Sequence, residues 1–128
     1  MRSRDSLLRL NRFKVEDCRR QVSDMDMMIS DLMRKHDDLD AHVKFEEKRT
    51  GVSDPANVNY SMAAKSVRTR RDNILATVAE LRDQHEAVIE RLKDAEADLR
   101  KVEMLMEKEQ PAKLVAPVLS MPAVAVAR

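Results

Sequence analysis

Apolar side chains recur every seventh residue along most of this chain, and the recurrence breaks once, at Arg49-Thr50-Gly51-Val52-Ser53-Asp54-Pro55-Ala56-Asn57-Val58-Asn59. Before the break, Leu8, Val15, Val22, Ile29, His36 and Val43 share one heptad position, and Asn11, Cys18, Met25, Leu32, Leu39 and Glu46 fall three residues later. Nine of these twelve are apolar or cysteine, a seam sustained over about five heptads and therefore long enough to specify a coiled-coil helix. After the break, Val67, Ile74, Leu81, Val88, Ala95 and Val102 repeat at seven, with Arg71, Val78, His85, Leu92, Leu99 and Met106 four residues on. The expected fold is all-α: two long helices in an antiparallel coiled-coil hairpin, the first running from about Arg4 to Thr50 and the second ending near Glu109.

The break reads as the tip of that hairpin, residues 51 to about 60. Gly51, the sole glycine, suits the left-handed position just past a helix end. Ser53 or Asp54 ahead of Pro55 suits a helix start, because a side-chain oxygen caps free N–H groups and proline has none to lose at the first helical position. The second helix is accordingly expected to begin between Asp54 and Ser61.

An antiparallel pair sets the two seam positions of one helix against the opposite positions of the other, so partner numbers share one total. A total of 110 satisfies both repeats: Leu8 faces Val102, Cys18 faces Leu92, Val22 faces Val88, Met25 faces His85, Leu39 faces Arg71 and Val43 faces Val67. Its centre falls on Pro55, inside the tip. A slip of one heptad is the main competitor, and the tip disfavours a parallel dimer of single helices. Charge agrees with the register: residues 1–20 carry seven basic and three acidic side chains, opposite five basic and seven acidic in 90–109. Such flanking complementarity selects orientation more than it adds stability. Each arm spans about 70 Å at the rise of an α-helix.

Charged residues make up 37% of the chain, aromatics 2%, and tryptophan is absent. That composition fits helix pairing and not a compact core. A net charge of +1 provides no global basic field for nucleic acid or an acidic membrane. The single Cys18 excludes an intramolecular disulfide and fits a reducing compartment. The N-terminus does not read as a signal peptide, since Arg9, Asn11 and Arg12 interrupt the apolar run. From Gln110 to Arg128, Pro111, Pro117 and Pro122 alternate with Ala and Val, a stretch too short and proline-rich to span a membrane and expected to be a flexible tail or a partner-binding peptide.

Nothing in the residues supports catalysis or a cofactor: one glycine cannot make a phosphate loop, and Cys18 sits where any small apolar side chain would serve. In the expected register His36 and His85 lie about 16 Å apart along the helices, so they cannot share a metal. Met25 is a seam residue, Met28 and Met33 flank the seam and widen it, and Met27 points outward; the alternative is an adaptable patch for changing clients. The basic run Lys65, Arg68, Arg70 and Arg71 is either a solvated face or a dock for an acidic partner, and the same choice applies to Arg2, Arg4, Arg9 and Arg12 at the open end. Tyr60, beside the break, is either an exposed interface anchor or a ring covering the seam near Val43 and Val67.

The block Met1-Arg2-Ser3-Arg4-Asp5-Ser6-Leu7-Leu8-Arg9-Leu10-Asn11-Arg12-Phe13, the tip Gly51-Val52-Ser53-Asp54-Pro55 and the length together resemble the FliJ family of the bacterial flagellar type III export apparatus, in its alphaproteobacterial form, over residues 1 to about 109. The resemblance implies a non-catalytic cytoplasmic hairpin, like the central stalk of rotary ATPases. Its terminal end sits in the export ATPase FliI, and the hairpin contacts the cytoplasmic domain of the export gate FlhA near the tip. Export chaperones are further partners, and the apparatus places the protein peripherally at the inner face of the cell membrane. On this likeness Arg2, Arg4, Arg9 and Arg12 face the ATPase, and Tyr60, Val67, Arg68 and Arg71 face the gate. Asn59-Tyr60 matches a family pattern, whereas Ala63 departs from the aromatic found there in some members. Outside the resemblance the chain reads as a generic coiled-coil scaffold or a client-binding chaperone.

Overall fold

The computed structural model describes residues 2–109. Two helices, α1 (Arg2–Thr50) and α2 (Met62–Glu109), form the antiparallel coiled-coil hairpin expected from the heptads. The stretch 110–128, expected to be a tail, lies outside the described residues. The helices divide between two compact units: a turn unit, Arg20–Ile89, and a terminal unit combining the residues up to Arg19 with those from Glu90 on.

Every seam residue of both repeats is buried or half-buried. Apart from Tyr60, the buried apolar side chains of the seam are small or β-branched: Val43, Ala64, Val67, Val78 and Val88 in the turn unit, Val15, Ala95 and Val102 in the terminal unit. Two helices cover a seam only where they touch, so a short side chain fits wholly into the hole made by the facing helix. Leu32, Leu39, Met25 and Ile29 extend past that contact and keep part of their surface in water. Valine also has little rotamer freedom to lose in a helix. Fully burying one contributes about 2 kcal/mol.

Cross-helix contacts agree with the expected register. In the turn unit Arg71 Nη1 donates to Asp40 Oδ1 at 2.9 Å, and His85 Nε2 lies 2.7 Å from Asp26 Oδ1. Each contact lands one residue past the expected partners, Leu39 and Met25, where a heptad slip would displace it by a full turn pair. The terminal unit has its own crosslink, Arg19 Nη2 to Glu96 Oε2 at 3.3 Å.

The turn corrects the expected start of the second helix. Gly51 has φ +76°, and its N–H donates to the Glu47 carbonyl at 2.9 Å, closing α1 as foreseen. The Asp54-Pro55 pair does not open α2. The Asn57 N–H donates to the Asp54 carbonyl at 3.0 Å, and the Ala56 N–H donates to Asp54 Oδ1 at 3.0 Å, making a β-turn with Pro55 at its second position. A second turn follows, Tyr60 N–H to the Asn57 carbonyl at 3.0 Å, with the Asn59 N–H on Asn57 Oδ1 at 2.8 Å. Ser61 is the N-cap: its Oγ accepts from the Ala64 N–H at 3.1 Å, and its carbonyl accepts from Lys65 N–H at 3.0 Å. Asp54 and Pro55 favour either outcome locally, and the seam decides between them, since Tyr60 and Ala64 lie seven residues before Val67 and Arg71 and are themselves buried.

Candidate partner-binding surfaces

At the closed end, the last turn of α1 brings two carboxylates under the start of α2. Glu46 occupies a seam position and is only 8% exposed. Arg49 grips it through Nη2 to Oε1 at 2.8 Å and Nε to Oε2 at 3.3 Å, and Ser61 Oγ donates to Oε1 at 3.3 Å. The opposing seam position holds Ala64, fully buried, whose small side chain leaves room for the glutamate. The Arg49 hydrogen bond, the largest influence, outweighs desolvation and holds the Glu46 carboxyl below its ordinary pKa. Glu47 accepts from the Tyr60 hydroxyl at 2.5 Å and lies 3.9 Å from Arg68 Nη1.

This arrangement changes the standing of the four residues expected to face the gate. Tyr60 is 7% exposed and is not an exposed anchor; its ring caps the seam, and burial followed by the bond to Glu47 raises its pKa. Val67 is core at 6% exposure. Arg68 is half-buried beside Glu47. Arg71 is held between Asp40 and Asp72, 2.9 and 3.2 Å away; burial acts to lower its pKa, and the two carboxylates more than reverse that. Of the basic run, Lys65 and Arg70 are exposed. The large apolar side chains open to solvent around the turn are instead Phe45, Val58 and Met62, at 64%, 96% and 77%. Their signal in the sequence is negative: Phe45 and Met62 are large apolar residues at outward heptad positions, where the seam has no use for them.

Along the turn unit, Met27 and Met28 are exposed and Met33 is half-buried, so of the two flanking methionines only Met33 widens the seam. His36 Nδ1 lies 3.0 Å from Asp37 Oδ1. The contact of His85 with Asp26 lacks hydrogen-bond geometry, which leaves the buried His85 Nε2 without a hydrogen-bond partner among the described residues. Among the described residues no group of three His, Cys, Asp or Glu side chains is placed to hold a metal ion, and no helix is long and apolar enough to cross a membrane.

In the terminal unit Arg4, Arg9 and Arg12 are exposed on α1; the side chain of Arg2 lies outside the described residues. They share the helix with exposed Leu7, Leu10 and Phe13, and α2 contributes exposed Met104 and Leu105. Two shallow depressions mark this surface, one lined by Ser6, Arg9, Leu10 and Phe13, the other by Lys101, Met104, Leu105 and Lys108. Asn11, 7% exposed in the seam, donates from Nδ2 to the Leu7 carbonyl at 2.8 Å and so satisfies its amide within α1.

These features define a two-helix coiled coil with exposed apolar and basic side chains around the turn and in the terminal unit. Compared with known proteins, the chain matches no protein family, no curated relative and no solved structure.

Proposed function

We propose that this protein is a non-catalytic, stalk-like component of a flagellar type III export apparatus, joining the export ATPase FliI to the cytoplasmic domain of the export gate FlhA and assisting export chaperones. The observation that carries the reading is the terminal unit's surface, where exposed Arg4, Arg9 and Arg12 are interleaved with exposed Leu7, Leu10 and Phe13. A surface of this kind combines steering charge with apolar contact area, as a partner-docking helix requires. It falls within the N-terminal block that resembles the FliJ family, and an antiparallel hairpin is the fold which that resemblance implies. In this reading the protein is cytoplasmic and reaches the membrane only through the apparatus. The gate contact falls on the exposed residues of the turn, Val58, Met62 and Phe45, in place of the buried Tyr60 and Val67.

The test is copurification of the full chain with the assembled ATPase and, separately, with the gate's cytoplasmic domain. Binding to both is expected. Replacing Arg2, Arg4, Arg9 and Arg12 together by Glu should abolish capture of the ATPase and leave gate binding and helical circular dichroism intact. A chain that binds neither is a spacer, and the export reading is then wrong. The exposed Met27 and Met28 favour a second reading, a client-binding chaperone, in which export substrates or their chaperones contact the turn unit.

A further inference from the structure

The outward side of α2 just past the turn is cationic and apolar, because the carboxylates nearby are spent inside the hairpin. From Met62 to Arg71 the helix carries Lys65, Arg68, Arg70 and Arg71 and no acid, and no acidic residue in its first turn offsets the positive end of the helix dipole. The structure divides these four cations. Arg68 lies 3.9 Å from Glu47 and Arg71 lies 2.9 Å from Asp40, both carboxylates of α1. The first carboxylate of α2 itself, Asp72, is held by Arg71 at 3.2 Å. Lys65 and Arg70 are exposed and have no carboxylate within ion-pair distance among the described residues. The same asymmetry holds around the turn. Among the exposed residues from 41 to 70, Lys44, Lys48, Arg49, Lys65 and Arg70 are cationic and only Asp54 is a carboxylate, since Glu46 and Glu47 are taken up beneath α2 by Arg49, Ser61 and Tyr60.

Helical spacing sets Met62, Ser66 and Thr69 on one outward face of α2, with Lys65 at one edge and Arg70 at the other, about 7.5 Å apart along the axis. Met62 is 77% exposed at the head of this face. We infer that an acidic amphipathic helix of a partner docks here, its apolar side against Met62 and its carboxylates against Lys65 and Arg70.

Charge complementarity selects that occupant. Two unpaired cations flanking one apolar side chain match a helix whose carboxylates lie on both flanks of its apolar stripe, one or two turns apart. They are too few to hold a nucleic-acid backbone or a bilayer, each of which calls for a larger basic patch, yet enough to select the sign and orientation of a peptide. Methionine, flexible and polarizable, moulds to whatever apolar side chain meets it. The hairpin loses nothing by such docking, because the cations it uses for itself, Arg68 and Arg71, are not the ones offered. The inference deepens the proposed gate contact at the turn and rests on that reading only for the partner's name.

Chemical-shift mapping on the full chain tests it, with a synthetic amphipathic peptide that carries leucine along one face and glutamate on both flanks. Titration is expected to move the backbone amides of Met62, Lys65, Ser66 and Arg70. Those of Met27 and Met28, exposed but set between Asp24 and Asp31, should stay in place. The same peptide with glutamine for glutamate should bind about tenfold more weakly, the scale of two exposed ion pairs. Lys65→Gln with Arg70→Gln should produce the same loss at an unchanged thermal midpoint, since both side chains are exposed. Equal affinity of the two peptides, or shifts confined to Arg4, Arg9 and Arg12, would overturn the inference. The gate's cytoplasmic domain separates it from the export reading. A domain that binds the parent and the double variant equally well overturns the inference alone, whereas a domain that binds neither rejects the export reading and leaves the peptide to decide.

Discussion

The Tyr60 hydroxyl donates to Glu47 Oε2 at 2.5 Å, tying the residue before the α2 cap to the last turn of α1. The contact spans the whole turn, so it holds the two helix ends together where the seam runs out. Tyr60→Phe keeps the ring in the seam but leaves Glu47, whose side chain is 18% exposed, with Arg68 at 3.9 Å in place of a hydrogen bond. The expected loss is about 1–2 kcal/mol in urea unfolding, the range for a hydrogen bond to a charged group. Tyr60→Ala also empties the seam and should cost about 3 kcal/mol or more. Equal stability of Tyr60→Phe and the parent would mean that the bond contributes nothing in solution.

The same phenol gives an alkaline limit. Burial, then the carboxylate of Glu47, raises the Tyr60 pKa above its ordinary value. A group whose pKa is raised by folding contributes stability that is complete below its unfolded pKa and is lost as pH climbs through the folded one. Unfolding midpoints should therefore fall above about pH 10, the ordinary phenol value, and Tyr60→Phe should remove that part of the fall. A parent and variant with superimposable alkaline profiles would refute the assignment.

Acid acts through the opposite sign. Glu46 is held low by Arg49, and Asp40 by Lys44 first and then Arg71. For a carboxyl depressed by folding, the unfolded chain binds more protons, so stability is present above the unfolded pKa and is lost as pH falls through the folded one. The hairpin should weaken progressively below about pH 4, the ordinary carboxylate value. Glu46→Gln should be less stable than the parent at pH 7 and should differ less from it at pH 3. Circular dichroism during urea titration at both values decides it; a gap that widens on acidification contradicts the sign.

Register is checked by covalent chemistry. Cysteines at Val22 and Val88, in a Cys18→Ser background, should oxidise to an intrachain disulfide, because the register with which the Arg71–Asp40 and His85–Asp26 contacts agree sets these half-buried and buried seam residues opposite one another. A cysteine pair at Val22 and Leu81, one heptad away, places the α-carbons too far apart to bridge and should stay reduced. Reversed yields on non-reducing gels would establish the slipped pairing.

What could be read from the sequence and what could not divide along one physical line. The seam was legible because a strict seven-residue repeat fixes which side of a helix meets its partner, and Leu8, Val43, Val67 and Val102 all follow it into buried or half-buried positions. The turn was legible in place but not in form, since Asp54-Pro55 satisfies both a helix cap and a β-turn and only the continuing seam at Tyr60 and Ala64 breaks the tie. The burial of the tip candidates has a related reason. Val67 and Arg71 lie on the repeat, and a residue on the repeat is used by the hairpin itself, leaving little of it for a partner. Glu46 was visible as a charge on the seam, but its partners Arg49 and Ser61 depend on how the chain leaves α1 and enters α2, which no periodicity encodes.

That separation yields a last prediction about the proposed gate contact. If the turn docks on a partner, the residues that supply binding are those the hairpin does not use, and Val58 at 96% and Met62 at 77% exposure are the leading ones. Their apolar surface gains only when a partner covers it, whereas removing it costs the free protein almost nothing. Val58→Ser with Met62→Ser should therefore weaken binding to the gate's cytoplasmic domain about tenfold, equivalent to about 1.4 kcal/mol, at an unchanged unfolding midpoint. Tyr60→Ala should behave in the reverse manner, losing stability first and binding only as the turn loosens. Calorimetric titration of both variants, alongside their thermal unfolding, separates the two sets. Full gate affinity in the Val58, Met62 double variant would remove the turn's exposed surface from the contact, and a Tyr60→Ala chain of parental stability that no longer binds would return the anchor role to Tyr60.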